Sequence, residues 1–217
     1  MRGSTMGLAV SVGALADLKE NDPEGAEWLS ESLEAMNNLL RKHGLPTHVE
    51  PETLPRLNDR AGLGSYPYSF LHYLRRFAAH AANPDWQPQP FPDDVRPADD
   101  SVVDQASCMF DSHLLCHSDC EGFYVPIPFD APLFAEDGEK VPGGMLGSSQ
   151  GLMKELVSVA PKLGIGLWEG LLPDSEAARI NRVIEAEGVF WIEQAVWLSL
   201  YEAARLSIEH GTVISFG

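Results

Sequence analysis

Basic side chains are scarce. Fifteen Lys and Arg stand against 32 Asp and Glu, giving a formal net charge of −17 at pH 7 over 217 residues. That shortage argues against a sequence-independent nucleic-acid binder, whose phosphate contacts need clustered cations. It disfavours an anionic membrane surface for the same reason. Long apolar runs are missing too. None approaches the ~18 residues of a membrane span. Cysteine is limited to Cys108, Cys116 and Cys120. An odd number crowded into one segment is not a disulfide framework, and it fits a reducing, cytoplasmic setting. Internal repeats and low-complexity tracts are lacking. With 44% apolar and 22% charged residues, the composition excludes disorder, collagen and a coiled coil. The stretch from Arg2 to Ala16 imitates a signal peptide. Its apolar run is short, however, and carries Ser11 and two glycines. Met6 reads as the native start, and residues 1–5 as an appended stretch.

The patterning predicts one α+β domain over residues 1–217. Leu8–Val12 is a short apolar strand. Asp22-Pro23-Glu24 is a helix start, with a capping carboxylate, proline in the first turn and acids near the N-terminal dipole. Trp28, Leu29, Leu33, Met36, Leu39 and Leu40 recur at helical spacing, and Gly44 ends the run. Thr47–Glu50 is a candidate second strand. Tyr66–Ala82 is a second helix, and residues 83–104 form a long Pro/Asp-rich loop. Residues 112–129 read as a β-hairpin turning at Asp119-Cys120-Glu121-Gly122. A helix over Asp104–Cys120 is the alternative. Helices follow from about residue 149 to Lys162, Pro173 to Glu187 and Phe190 to His210, with a closing strand at Thr212–Phe216. The expected fold is therefore a small mixed sheet flanked by about five helices. Strands from the two ends of the chain pair within it.

The chemically suggestive segment runs from Cys108 to Glu121. It holds every cysteine together with His113, His117, Asp111 and Asp119. Thiolate, imidazole and carboxylate are the ligand set of zinc. On a strand, His117 and Asp119 share a face and can chelate one ion. On a helix, His113, Cys116, His117 and Cys120 share one. Either arrangement needs a distant ligand from among His72, His80, His210 and Glu193. Two other readings stand beside it. In one, Cys108 and Cys116 are small buried hydrophobes around a turn. In the other, His117 or His113 activates a thiol, with Asp119 orienting the imidazole.

Gly147-Ser-Ser-Gln-Gly151 matches Gly-x-Ser-x-Gly, and Ser149, Asp174 and His210 follow in the chain order of a hydrolase triad. The preceding segment is a poor strand, so helix capping explains the serines better. The same loop could cradle an anion. His72, Arg75 and Arg76 gather rare bases on one helix, suited to an anion or to internal carboxylates. Glu193, Glu202 and Glu209 lie on the apolar last helix, where a buried carboxylate needs a partner.

Two functional classes result. The first is a metal-dependent hydrolase acting on a small molecule. In it, His113, Cys116, His117, Asp119 and Cys120 are candidate zinc ligands, and Glu121 or Glu193 moves protons. The second is a non-catalytic acidic protein that binds a basic protein partner, with the charge steering association.

Overall fold

Strands from the two ends of the chain lie side by side inside one sheet. The computed structural model describes residues 7–62, 64–92 and 95–217. In it β1 (Gly7–Val12) pairs antiparallel with β6 (Ile214–Phe216), placing Val10 opposite Phe216 and Val12 opposite Ile214. β2 (Ser65–Pro67) covers the outer edge of β1. On the other side β6 pairs antiparallel with β3 (Gly122–Val125). β3 pairs in parallel with β5 (Met145–Ser148), and β5 pairs antiparallel with the short edge strand β4 (Leu133–Phe134). The order is β2-β1-β6-β3-β5-β4, a mixed sheet of six strands.

Seven α-helices accompany the sheet among the described residues: α1 (Ala14–Asn21), α2 (Pro23–Lys42), α3 (Tyr68–Ala81), α4 (Ser101–Ser107), α5 (Ser149–Val159), α6 (Asp174–Glu185) and α7 (Trp191–His210). The α+β reading and the pairing of the terminal strands therefore hold. Helices cover both faces, which is why every residue of β3 is buried instead of every second one. Phe123 and Val125 point toward the cluster beneath α1 and α2, with Leu29, Met36 and Leu40. Tyr124 points the other way, into the cluster of Leu74, Phe77, Leu156, Trp197 and Tyr201 contributed by α3, α5 and α7. At the start of α2, Asp22 accepts a hydrogen bond from the Gly25 amide at 3.1 Å and Pro23 fills the first turn.

The expected hairpin at 112–129 does not form. The backbone donors of His113 and Leu114 are taken at 2.6 and 3.0 Å by the Glu155 carboxylate, which also accepts from the Ser112 hydroxyl. A segment whose amides face a carboxylate has none free for a ladder, so 113–118 is a chain of turns. The alternative helix fails as well. α4 stops at Ser107, and Phe110 takes φ 54°, outside any right-handed helix. Pro126, without an N–H, ends β3. Thr47–Glu50 is not a strand. The Asn37 amide holds both backbone groups of His48, at 2.7 and 2.8 Å.

α7 is buried along most of its length and takes carboxylates with it. Glu202 is fully buried between Arg60, which donates at 2.5 Å, and Arg205, which donates at 2.8 Å. Burial pushes its pKa up, but the two guanidinia outweigh that and hold it below the usual carboxylate range. Glu202→Gln is expected to lower stability at pH 7 by about 3 kcal/mol, as for other broken buried pairs. Because the folded pKa is depressed, the contribution is present at neutral pH and lost as pH falls through it. Urea titrations of both proteins at pH 7 and in mild acid check this: the gap should narrow in acid.

Candidate functional site

The residues singled out between 108 and 121 are brought near one another by the chain, but their side chains serve different partners. His117 is inserted into the core. Its ring stacks on Tyr124 at 4.2 Å and tilts against Phe216 at 4.6 Å. Its nitrogens face carbonyls, Nδ1 that of Ser118 at 2.9 Å and Nε2 that of Phe123 at 3.3 Å. Burial lowers its pKa to about 4; the Arg75 charge acts in the same direction, and the carbonyls oppose both only in part. Asp119 turns toward α3 instead. It lies 3.1 Å from His72 Nε2 and pairs with Arg75. Burial alone would raise its pKa, yet His72 and Arg75 bring it down to about 2. Arg75 also donates to the backbone carbonyls of Leu114, at 2.9 Å, and His117. One buried guanidinium thus pins the whole 114–119 turn.

His113 accepts from the Ser148 amide at Nδ1 (3.1 Å), so Nε2 carries the proton and donates to the Phe129 carbonyl (3.1 Å). Both of its nitrogens are occupied. The Cys116 thiol donates to the Ser107 carbonyl, and burial pushes its pKa up, away from a reactive thiolate. Cys120 is exposed beside the Ser118 hydroxyl. Glu193 is buried in α7, where burial raises its pKa. Glu121 is exposed on a different surface, described below. Of the distant candidates, His80 pairs with Asp100 at 2.9 Å and His210 lies 3.8 Å from Glu209. Among the described residues no three His, Cys, Asp or Glu side chains are grouped so as to hold a metal ion.

The serine motif has a packing explanation. β5 does lead directly into α5, but Ser149 is fully buried and bonded to Ser207 at 2.7 Å. Asp174 is bound to Arg60, away from both Ser149 and His210 in its hydrogen bonding. Ser148 caps α5 by accepting from the Gly151 amide at 3.1 Å. The two glycines are demanded by close approach: a Cβ at Gly147 would strike the Tyr124 ring, and one at Gly151 the His113 ring.

A different feature begins at Glu121 and runs along α2. On α2, Glu24, Glu27, Glu31 and Glu34 are all exposed. At 3.6 residues per turn they fall within an arc of roughly 80° and form a stripe about 15 Å long. The helix's buried residues, Leu29, Met36 and Leu40, lie on the other side. Asp17 and Glu20 on α1 continue the exposed acid upstream. Alongside α2 runs a cleft of about 870 Å³, lined by Trp28, Glu31, Glu34, Glu121, Glu139 and Lys140, among others. Trp28 rests against Phe123 yet remains 52% exposed at the cleft. Lys42 is tied to Glu136 at 3.0 Å and Glu139 at 3.1 Å, joining the end of α2 to the facing loop. The sequence pattern contains this stripe, at spacings of three, four and three. In sequence, however, its acids pass for dipole partners and Trp28 for a core residue. The lack of matched bases on that face is the signal that could have found it.

Fold and surface together define an acidic α+β protein whose exposed carboxylates are organised along one helix and the cleft beside it. The chain belongs to the family described as "Putative DNA-mimic protein", whose model matches residues 6–216. No curated protein and no solved structure matches it. The expectation of a zinc-dependent hydrolase is corrected by this membership and by the lack of a ligand group among the described residues. His113, Cys116, His117, Asp119 and Cys120 resemble a metal set in composition, but their polar atoms are directed to separate backbone and side-chain partners. No helix among the described residues is long and apolar enough to cross a membrane.

The burial of His117 carries a pH signature. The folded ring stays neutral down to about 4, whereas an unfolded one titrates near 6.5. The unfolded chain therefore binds the extra proton first. Stability should fall as pH drops from about 6.5 to 4, by on the order of 3 kcal/mol from this residue. His117→Phe retains the stacking on Tyr124 and removes the titration. Its stability deficit against the parent at pH 7 is expected to shrink toward pH 4.5 in urea titrations; parallel pH profiles would contradict the assignment.

Proposed function

We propose that this chain is a non-catalytic acidic protein that occupies the DNA-binding surface of a basic protein partner. The observation that carries this reading is the exposed α2 stripe, Glu24, Glu27, Glu31 and Glu34, of which Glu31 and Glu34 share a cleft with Glu121 and Glu139. Membership of the DNA-mimic family supports it. Anions on both sides of a cleft offer acceptors where phosphates flank a DNA groove, with Glu139 shared with Lys42 and Lys140 also lining the cleft. The spacing is coarser: one charge per ~5 Å along the helix, against one per ~3.4 Å along each DNA strand. Carboxylates also accept the paired N–H groups of arginine that otherwise bind phosphate. Trp28 at the cleft supplies a flat aromatic face on which a guanidinium can rest. Association steered by this field is fast and weakens with salt.

The reading is tested by displacement. A helix-turn-helix dimer, a β-ribbon dimer and a histone-like minor-groove protein are each bound to fluorescein-labelled duplex and titrated with the chain at two salt concentrations. Displacement of at least one, weaker at higher salt, is expected. Replacing Glu24, Glu27, Glu31 and Glu34 together by Gln should raise the midpoint about 30-fold, since four exposed pairs at roughly 0.5 kcal/mol each total about 2 kcal/mol. The salt dependence should flatten as well. Unchanged displacement by that variant would overturn the assignment of the stripe.

A further inference from the structure

Charge alone does not choose among basic proteins, since every one of them attracts the same field. Beside the acidic face lies a feature that duplex DNA does not have. Met109 and Phe110 are 69% and 59% exposed, and Phe134 is 38% exposed. The Phe110 and Phe134 rings meet edge to face at 5.3 Å, forming one apolar patch. Phe110 is held there in the left-handed region, at φ 54°. That conformation costs an aromatic residue about 1–2 kcal/mol. It projects a large side chain to water instead of returning it to the core.

The patch is joined to the acidic face. Phe134 lies on β4, at the edge of the sheet. Two residues on, roughly 7 Å along an extended chain, is Glu136, which binds Lys42 at the end of α2. On the other flank Phe110 is followed by the exposed Asp111. An apolar surface flanked by Asp111 on one side and by Glu136, which holds Lys42, on the other fits a pocket bordered by bases. A second copy of this chain would bring another −17 charge against it.

We propose that Met109, Phe110 and Phe134 form an apolar anchor that seats in a hydrophobic pocket beside the DNA-binding surface of the same basic partner. This rests on the reading under Proposed function and adds the element that selects the partner. Exposed aromatic clusters of this kind contribute affinity by desolvation, and their contribution is not screened by salt. The two parts of the interface are therefore separable: the α2 stripe sets the salt dependence and the anchor sets the affinity that remains at high salt.

The experiment uses the full chain and the DNA-binding protein that it displaces from labelled duplex. Met109→Gln, Phe110→Asn and Phe134→Thr are combined. Asn tolerates the left-handed backbone at 110 and Thr suits a strand at 134. Phe110→Asn alone serves as the milder variant, and circular-dichroism melts confirm that both are folded. The triple variant should need about tenfold more protein for half-displacement at both salt concentrations, with the salt dependence of the parent retained. Wild-type midpoints from the triple variant would overturn the anchor while leaving the acidic face intact. A weaker midpoint accompanied by a flattened salt dependence would also overturn it, since the patch would then act only through the charged face. Sedimentation equilibrium separates the remaining occupant. A parent that self-associates, with a triple variant that is monomeric and displaces DNA normally, would assign the patch to a second copy. Failure of the parent to displace duplex from any of the three proteins would overturn both this inference and the function on which it rests.

Discussion

Arginine pairs with three of the carboxylates drawn in from solvent, while Glu50 is met by His48, the Thr212 hydroxyl and the Val213 amide. Glu202 has Arg60 and Arg205, Asp119 has Arg75 and Asp100 has Arg76, and each of these guanidinia is at least partly withdrawn from water. An unpaired buried charge would be prohibitive. With only 15 basic side chains in the chain, that requirement removes several of the available cations from the surface. Lys19 and Lys42 are taken by Glu52, Glu136 and Glu139, and no ion pair is formed by Glu24, Glu27, Glu31 or Glu34 among the described residues. The exposed stripe of α2 is in this sense the complement of the interior ion pairs, and the fold sorts the charge before any partner arrives.

The same sorting explains why the segment richest in reactive side chains is structural. Arg75 and Glu155 hold the 112–119 turns from outside, one by its donors and the other by its acceptors. With the backbone fixed by these two groups, His117 can fill a space against Tyr124 and Phe216, and His113 can close the start of α5. Histidine suits both places because it is flat, apolar on its faces and able to meet a backbone group at its edge. A cluster of Cys, His and Asp in sequence is thus compatible with side chains that diverge in space.

The local elements were legible because their signals are local. Asp22-Pro23 announced α2, Gly44 closed it, and the β-branched ends of the chain announced β1 and β6. What was not legible depends on contacts far apart in sequence. Nothing near His113 shows that Glu155, 42 residues later, takes its amide. Nothing near Gly122 shows that β3 pairs with β5 and β6 instead of folding back on a neighbour. The acidic character of the interaction surface was visible as a net charge, and a basic partner was one of the readings it allowed. Where on the molecule that surface lies emerges only from the fold, although the three-four-three spacing of Glu24, Glu27, Glu31 and Glu34 contained it. Trp28 lies about 100° round α2 from Leu29, between the buried face and the acidic stripe, with its ring against Phe123.

The insertion of β6 between β1 and β3 has a consequence for how the molecule comes into being. The strands on one side of it, β1 and β2, and those on the other, β3, β5 and β4, all precede it in the chain. During synthesis both halves are present while the strip that joins them is still inside the ribosome. The edges of β1 and β3 then stay open, with Val10, Val12 and Tyr124 lacking their final cover. The acids of α1 and α2, already exposed at that stage, give the half-made protein a strong like charge that keeps nascent chains apart. The property assigned to partner binding in the finished molecule also protects the unfinished one.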